Sequence, residues 1–167
     1  MTTKKAIIER RPLWLLSLLV PLLPFVSYLL VMQTGNTFYW WLSIIYAALL
    51  ISILDFLIGE SETNPNAEDS DALLENPFYR RIVYMYPALQ WLALGFGIWV
   101  ASSGVLSGTD WIAWTLSFGN IGAYAINAAH EMGHKRGKLS QFLAKVTLIP
   151  VCYGHFLVEH NRGHHVR

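Results

Sequence analysis

The sequence predicts an all-α integral membrane protein, on the basis of three observations. Hydrophobic residues make up 54% of the 167-residue chain and charged residues only 14%, against roughly 25% charged residues in typical soluble domains. The apolar residues form four long runs, each close to the ~20 residues that a helix needs to cross a bilayer. All six histidines follow the fourth run, five of them in two clusters. We therefore expect one membrane domain, residues 1–167, with four spans and a histidine-bearing helical region.

The four apolar runs predict the positions of the membrane-spanning helices. Pro21 and Pro24 lie inside the first run, where we expect a kink of the kind that membrane helices tolerate. The second run begins with Tyr39, Trp40 and Trp41, which are typical of the membrane–water interface. The predicted spans are about residues 12–32, 38–58, 83–103 and 111–129.

The distribution of positive charge predicts the orientation of the chain. All twelve Lys and Arg lie in residues 4–11, 80–81 and 135–167. The two loops on the opposite side, residues 33–37 and 104–110, contain none. Because cytoplasmic loops carry an excess of Lys and Arg, we expect a bacterial inner-membrane protein whose N-terminus and histidines are cytoplasmic. The pattern predicts the lipid bilayer as a partner and no nucleic acid.

The histidine region, residues 130–167, has the spacing of a metal site. Its first cluster reads H-E-M-G-H, with His130 and His134, and its second reads H-N-R-G-H-H, with His160, His164 and His165. Residues four apart lie on one face of a helix, so each cluster can direct two imidazoles at one centre. His165 can reach the same metal or a second one. Neutral imidazole suits zinc, iron and copper, and two clusters favour a site for two metals.

The segment between the clusters, residues 139–158, is apolar but is interrupted by Pro150 and Gly154. These breaks predict a bent pair of helices rather than a further span. We expect this pair to fold the second cluster back beside the first.

Several polar residues are candidates for hydrogen bonding to the ligating histidines. Ligating imidazoles usually donate their second N–H to a carboxylate or a carbonyl. We expect Asp55, an ionisable residue within the second run, to accept such a bond; the alternative is that it extends to the membrane surface. We also predict supporting roles for Asn127, Glu131, His155 and Glu159, which lie near the predicted ligands in sequence.

Two other functional classes stay open on the histidine pattern alone. H-E-M-G-H is also the zinc-protease motif, in which Glu131 would be the general base. The three further histidines argue against an intramembrane zinc metalloprotease, which does not need them. A non-enzymatic metal-binding or transport protein is the third interpretation. Metal analysis separates these classes: two irons, one zinc, or a readily exchanged ion.

H-E-M-G-H at 130–134 and Y-G-H-F-L-V-E-H-N-R-G-H-H at 153–165 resemble the integral-membrane alkane 1-monooxygenases, part of the histidine-rich membrane di-iron superfamily. The resemblance implies terminal hydroxylation of medium- or long-chain n-alkanes to 1-alkanols with O2. It implies two non-heme irons held by His130, His134, His160, His164 and His165. It also implies electrons from NAD(P)H, delivered by rubredoxin reductase and rubredoxin. A xylene-type hydroxylase or a fatty-acid desaturase of the same superfamily is the alternative.

The same resemblance implies a six-span bundle, of which this chain holds the N-terminal part. The family has further ligand clusters that this chain does not contain, so we expect the chain to be inactive by itself. For an alkane, a channel must select by shape, and we predict it along the Asp55 face of the second run. Ala48 is the small residue of that face and either leaves the channel open or allows close helix packing. The other predicted channel residues are Ile44, Ile51 and Ser52.

Overall fold

The computed structural model describes residues 14–59, 76–160 and 163. These residues form helices and no strand, which confirms the all-α class. The basic segment 4–11, the acidic loop 60–75, and His164 and His165 lie outside the described residues. In chain order the helices are α1 (Leu16–Thr34), α2 (Thr37–Ile58), α3 (Pro77–Ser102), α4 (Asp110–Gly133), α5 (Lys138–Leu148) and α6 (Phe156–Glu159).

Three helices, α1, α2 and α3, are long and apolar enough to cross a membrane. The predicted fourth span, residues 111–129, lies inside α4, which is helical over 24 residues and so about 36 Å long. In the described chain α4 does not reach the apolar composition of a span, so four spans are not confirmed. The physical reason is that α4 packs against α1, α2, α3 and α5. Small and polar side chains therefore occupy much of its surface.

The ends and irregularities of the first three helices follow from local sequence. α1 tightens to a 3₁₀ turn over Val20–Leu22, which contains Pro21, at the place where the sequence predicted a kink. It ends at Gly35, whose φ of +70° suits a residue without a side chain. Asn36 and Asn76 cap α2 and α3, since each side-chain oxygen accepts a bond from a backbone N–H two residues later.

The middle of α2 is not α-helical. Residues Tyr46–Leu50 form a π-helical turn, and the N–H of Ile51 donates to the carbonyl of Tyr46 five residues earlier. This turn places Tyr46 and Ile51 on one face and shifts the residues on either side of it out of the regular 3.6-residue register. π-turns inside α-helices are rare and occur frequently at functional sites.

The end of the bundle away from the histidines is held by an aromatic core to which α2, α3 and α4 contribute. Trp114 packs edge-on against Trp40 at a centroid distance of 5.0 Å, and its Nε1 donates to the Gly97 carbonyl at 3.2 Å. The Phe118 ring lies directly over Gly97, where a side chain would overlap it. This close approach fixes the distance between the two helices.

Residues 138–160, here called the hairpin, comprise α5, a turn and α6. α5 packs along α4 and α3, and near its start Ser140 Oγ forms a hydrogen bond with the Tyr84 hydroxyl. After α5 the chain turns through residues 149–155 and returns as the short helix α6. The predicted bent pair of helices is therefore present, and it returns the chain to the end of α4.

Candidate metal centre

The C-terminal end of α4 supplies the first pair of histidines, with His130 in its last turn and His134 directly after it. His130 and His134 are one helical turn apart, and their Nε2 atoms are 3.0 Å apart. The helix continues through Gly133, so the i, i+4 spacing of H-E-M-G-H is realised as the sequence predicted.

The hairpin brings a third histidine to this pair. His160 follows α6 directly, and its Nε2 lies 3.2 Å from the Nε2 of His134. The candidate ligand atoms of His130, His134 and His160 all lie within 4.8 Å of one another. Across the described ranges, this is the one group of three or more such side chains with its ligand atoms so close together. The structure therefore joins the first cluster to the first histidine of the second.

The spacing of the nitrogens fits ligands that share one ion. Imidazole nitrogens bound at about 2.0–2.1 Å to the same metal are separated by roughly 2.8–3.4 Å in octahedral or tetrahedral geometry. The measured 3.0 and 3.2 Å fall within that range. Three imidazoles suit zinc, iron or copper. His134 is exposed while His130 and His160 are half-buried, so the group is accessible from one side.

An aromatic wall closes the opposite side of the group. The Phe156 ring stacks nearly parallel on the His160 imidazole, with centroids 5.0 Å apart and planes 17° apart. The same ring lies 6.0 Å from His130. Behind it, Leu157 is buried with Met132 in an apolar cluster that joins the hairpin to α4. This packing restricts the imidazoles and keeps water from that side.

The turn after His134 is fixed by one side chain of α5. Gln141 Nε2 donates to the carbonyls of Gly133 and Lys135, both at 2.7 Å. These carbonyls belong to the end of α4, where the last carbonyls of a helix have no partner inside it. Gln141 thus fixes both the end of the ligand-bearing helix and the start of the hairpin.

The predicted supporting residues have varied surroundings. Glu131 forms an ion pair with Lys135, one turn later, at 2.9 Å. This pairing occupies the carboxylate that a zinc protease would use as its base, and so it does not favour that interpretation. The His155 ring packs edge-on against Tyr153, with centroids 4.8 Å apart. The remaining three, Asp55, Asn127 and Glu159, are exposed.

A mostly apolar pocket of about 290 Å³ lies between α1, α2 and α4. Tyr124 reaches it from α4, six residues before His130 and so about 9 Å from it along the helix axis. Across the pocket the Tyr46 hydroxyl donates to the Leu16 carbonyl at 2.8 Å, so its polar atom is already engaged. The lining residues are Trp14, Leu16, Ser17, Tyr46, Ile51 and Tyr124.

Only Ile51 of the four predicted channel residues lines this pocket. Ala48 and Ser52 are exposed, and Ile44 is half-buried elsewhere on α2. The reason is the π-helical turn: the predicted face assumed a continuous α-helix, whereas the turn pairs Ile51 with Tyr46.

Comparison with known proteins adds a source of information independent of the geometry. Alkane 1-monooxygenase 1 of Alcanivorax borkumensis is 34% identical over 157 residues, which is 94% of this chain and 39% of that protein. Alkane 1-monooxygenase of Ectopseudomonas oleovorans is 32% identical over the same shares of both chains. Alkane 1-monooxygenase 2 of Pseudomonas aeruginosa is 37% identical over 75% of this chain and 34% of its own. The chain is a homologue of part of the alkane 1-monooxygenases.

This homology confirms the resemblance that the histidine motifs carried. The chain spans about two fifths of the length of the curated alkane 1-monooxygenases named above. No protein-family model matches it.

Reasoning from the sequence missed several residues of this alkane 1-monooxygenase homologue. Tyr46 and Tyr124 line the pocket, and each is a polar aromatic side chain inside an apolar run, which could have drawn attention to it. Phe156 and Gln141 lie between the two histidine clusters, but their contacts depend on how the hairpin folds. The spacing of residues along the chain does not indicate those contacts.

Proposed function

We propose that this chain forms part of an enzyme that hydroxylates the terminal carbon of medium- or long-chain n-alkanes with O2 at a non-heme di-iron site. The observation that carries the proposal is the convergence of His130, His134 and His160 in a homologue of proteins named alkane 1-monooxygenase. These three imidazoles would hold one iron. His164 and His165, which follow His160 by four and five residues in the sequence, would extend the ligand set.

Bound iron would supply the oxygen chemistry, as metal cofactors do in oxygen-using enzymes. The chain's own residues would orient the ligands, exclude water and hold the substrate. Phe156, stacked on His160, would orient that ligand and exclude water. The pocket would hold the substrate, because an alkane offers no polar group and is selected by shape alone. Tyr46 suits such a wall, since its hydroxyl is bonded to a backbone carbonyl.

The exposed side of the cluster is where we propose that electrons arrive. They would come from NAD(P)H through rubredoxin reductase and rubredoxin. His134 is the exposed member of the group, so a protein donor could approach it without opening the bundle. Supporting roles for Asp55, Asn127, His155 and Glu159 belong to the same proposal.

We further propose that the chain lies in a bacterial inner membrane with its N-terminus and histidines on the cytoplasmic side. The distribution of Lys and Arg supports this orientation. The length of α4, 24 residues, supports it as a fourth span shielded from lipid by its neighbours.

A chimeric enzyme tests the proposed function. This chain would replace the matching portion of the Alcanivorax borkumensis relative, and 1-octanol formation from octane would be measured in cells. We expect product from the chimera and none from its His130→Ala variant, with equal membrane insertion of the two. A chimera that inserts and binds iron but forms no alkanol would contradict the proposal.

A further inference from the structure

The far end of the hairpin is held by two side chains of α3. In a helix the Val146 carbonyl would accept from the residue four positions later, but that residue is Pro150 and has no N–H. Trp91 Nε1 donates to this carbonyl instead, at 3.2 Å. Gln90 Nε2 donates to the next carbonyl, that of Thr147, also at 3.2 Å. Within a membrane such carbonyls need protein partners, so α3 supplies what α5 lacks.

The position of His160 depends on where this far end lies. Beyond it the chain reverses through Cys152, which has a φ of +54°, and Val151 packs against Gly122 of α4. The returning helix α6 has only four residues, too few to be stable without packing. Its placement therefore comes from Leu157, which is buried against α4, and from the anchored turn before it.

We propose that Gln90 and Trp91 are positioning residues for the metal centre. By holding the end of α5, they fix the place from which the chain returns to bring His160 to His130 and His134. This proposal rests on one part of the proposed function, that the three histidines share an ion.

The proposal predicts a specific defect when the donors are removed. His130 lies in α4 and His134 directly follows it, so their pairing does not depend on the hairpin. Loss of the donors should therefore loosen His160 and leave the other two histidines in place. Gln90→Met retains the side-chain length and removes the donor. It also removes a buried Oε1 that has no hydrogen-bond partner among the described residues, which offsets part of the cost of leaving the Thr147 carbonyl without this donor.

The test uses Co²⁺ as a spectroscopic probe of the purified 167-residue chain in lipid nanodiscs. Gln90→Met and Trp91→Phe should each raise the Kd for Co²⁺ about tenfold, at the lower end of what second-layer partners of a metal site typically contribute. Their visible Co²⁺ spectra should shift towards that of His160→Ala. Ser103→Ala is the control, because it removes a hydrogen bond to the Val100 carbonyl at the C-terminal end of α3, twelve residues beyond Trp91. It should bind as the wild type does.

A double-substitution cycle separates positioning from general damage to the fold. If Gln90 acts through His160, Gln90→Met should not weaken Co²⁺ binding further in a His160→Ala chain. Additive losses, or equal losses in Ser103→Ala, would overturn the positioning role. A wild-type chain that binds no Co²⁺ would overturn the shared ion and the positioning role together. Failure of the alkane chimera with Co²⁺ binding intact would refute only the proposed reaction.

Discussion

Gly97→Ala should weaken the contact between α3 and α4 on which the bundle depends. A Cβ at this position would overlap the Phe118 ring, and that ring is held by Trp114, whose centroid is 5.2 Å away. Overpacking of this kind costs about 1–3 kcal/mol. The shift also weakens the bond from Trp114 to the Gly97 carbonyl, worth about 1 kcal/mol. Alanine is more favourable in a helix than glycine by about 1 kcal/mol, which offsets part of this loss. We therefore expect a net loss of about 2 kcal/mol.

Gly95 provides a control on the same helix. It is exposed, and an added Cβ there meets no heavy atom within 4 Å. Gly95→Ala should therefore keep only the propensity gain and stabilise the protein by up to about 1 kcal/mol. Unfolding in mixed micelles of increasing SDS content, followed by far-UV circular dichroism, gives both free energies.

The two substitutions should thus change stability in opposite directions. Phe118→Leu, which narrows the side chain over Gly97, should recover part of the loss in the Gly97→Ala background. If Gly97→Ala and Gly95→Ala shift the midpoint equally, or if Phe118→Leu gives no recovery, the close approach does not set the packing of α3 on α4.

Four further outcomes are expected. His134→Ala should raise the Kd for Co²⁺ by roughly 10²–10³, since about 10–16 kcal/mol over four ligands gives about 2.5–4 kcal/mol for each. Isothermal titration measures this, and an unchanged Kd would remove His134 from the ligands. Glu131→Gln should leave Co²⁺ affinity within about twofold, because its carboxylate pairs with a lysine; a large loss would restore it as a supporting residue. In the chimera, Ile51→Trp should reduce alkanol formation from long alkanes more than from short ones. Ala48→Trp lies outside the pocket and should not change this dependence on chain length. If the two variants give the same yields at every chain length, the substrate binds elsewhere. A cysteine at Thr34 should be labelled from the periplasm, and labelling only after the inner membrane is permeabilised would reverse the orientation.

Features set by neighbouring residues could be predicted from the sequence. His130 and His134 converge because they are one helical turn apart. The breaks at Pro150 and Gly154 are enough to predict that the segment 139–158 bends back. The all-helical class and the run boundaries likewise follow from apolar composition. α3 nevertheless begins at Pro77, six residues before the predicted span, because a capped helix can extend beyond the apolar region.

Features that depend on contacts between distant residues could not be predicted in this way. The π-helical turn at Tyr46–Leu50 moves Ala48 off the expected face, and nothing in the local pattern Y-A-A-L-L marks it. Gln90 is one polar residue in an apolar run, and polar side chains inside membranes often indicate function, but its position in the sequence does not identify its partner. Its partner is the Thr147 carbonyl, 57 positions later, a pairing that only the folded hairpin reveals.

The hairpin has a consequence for the order of assembly of the proposed metal centre. His130 and His134 lie four residues apart at the end of one helix, whereas His160 joins them only once the hairpin has folded. In the proposed metal centre, an ion bound before that folding would have two histidine ligands and would exchange more readily. Closure of the hairpin against Gln90 and Trp91 would add the third histidine and slow release. The proposed centre would therefore retain whichever metal is bound when the hairpin closes.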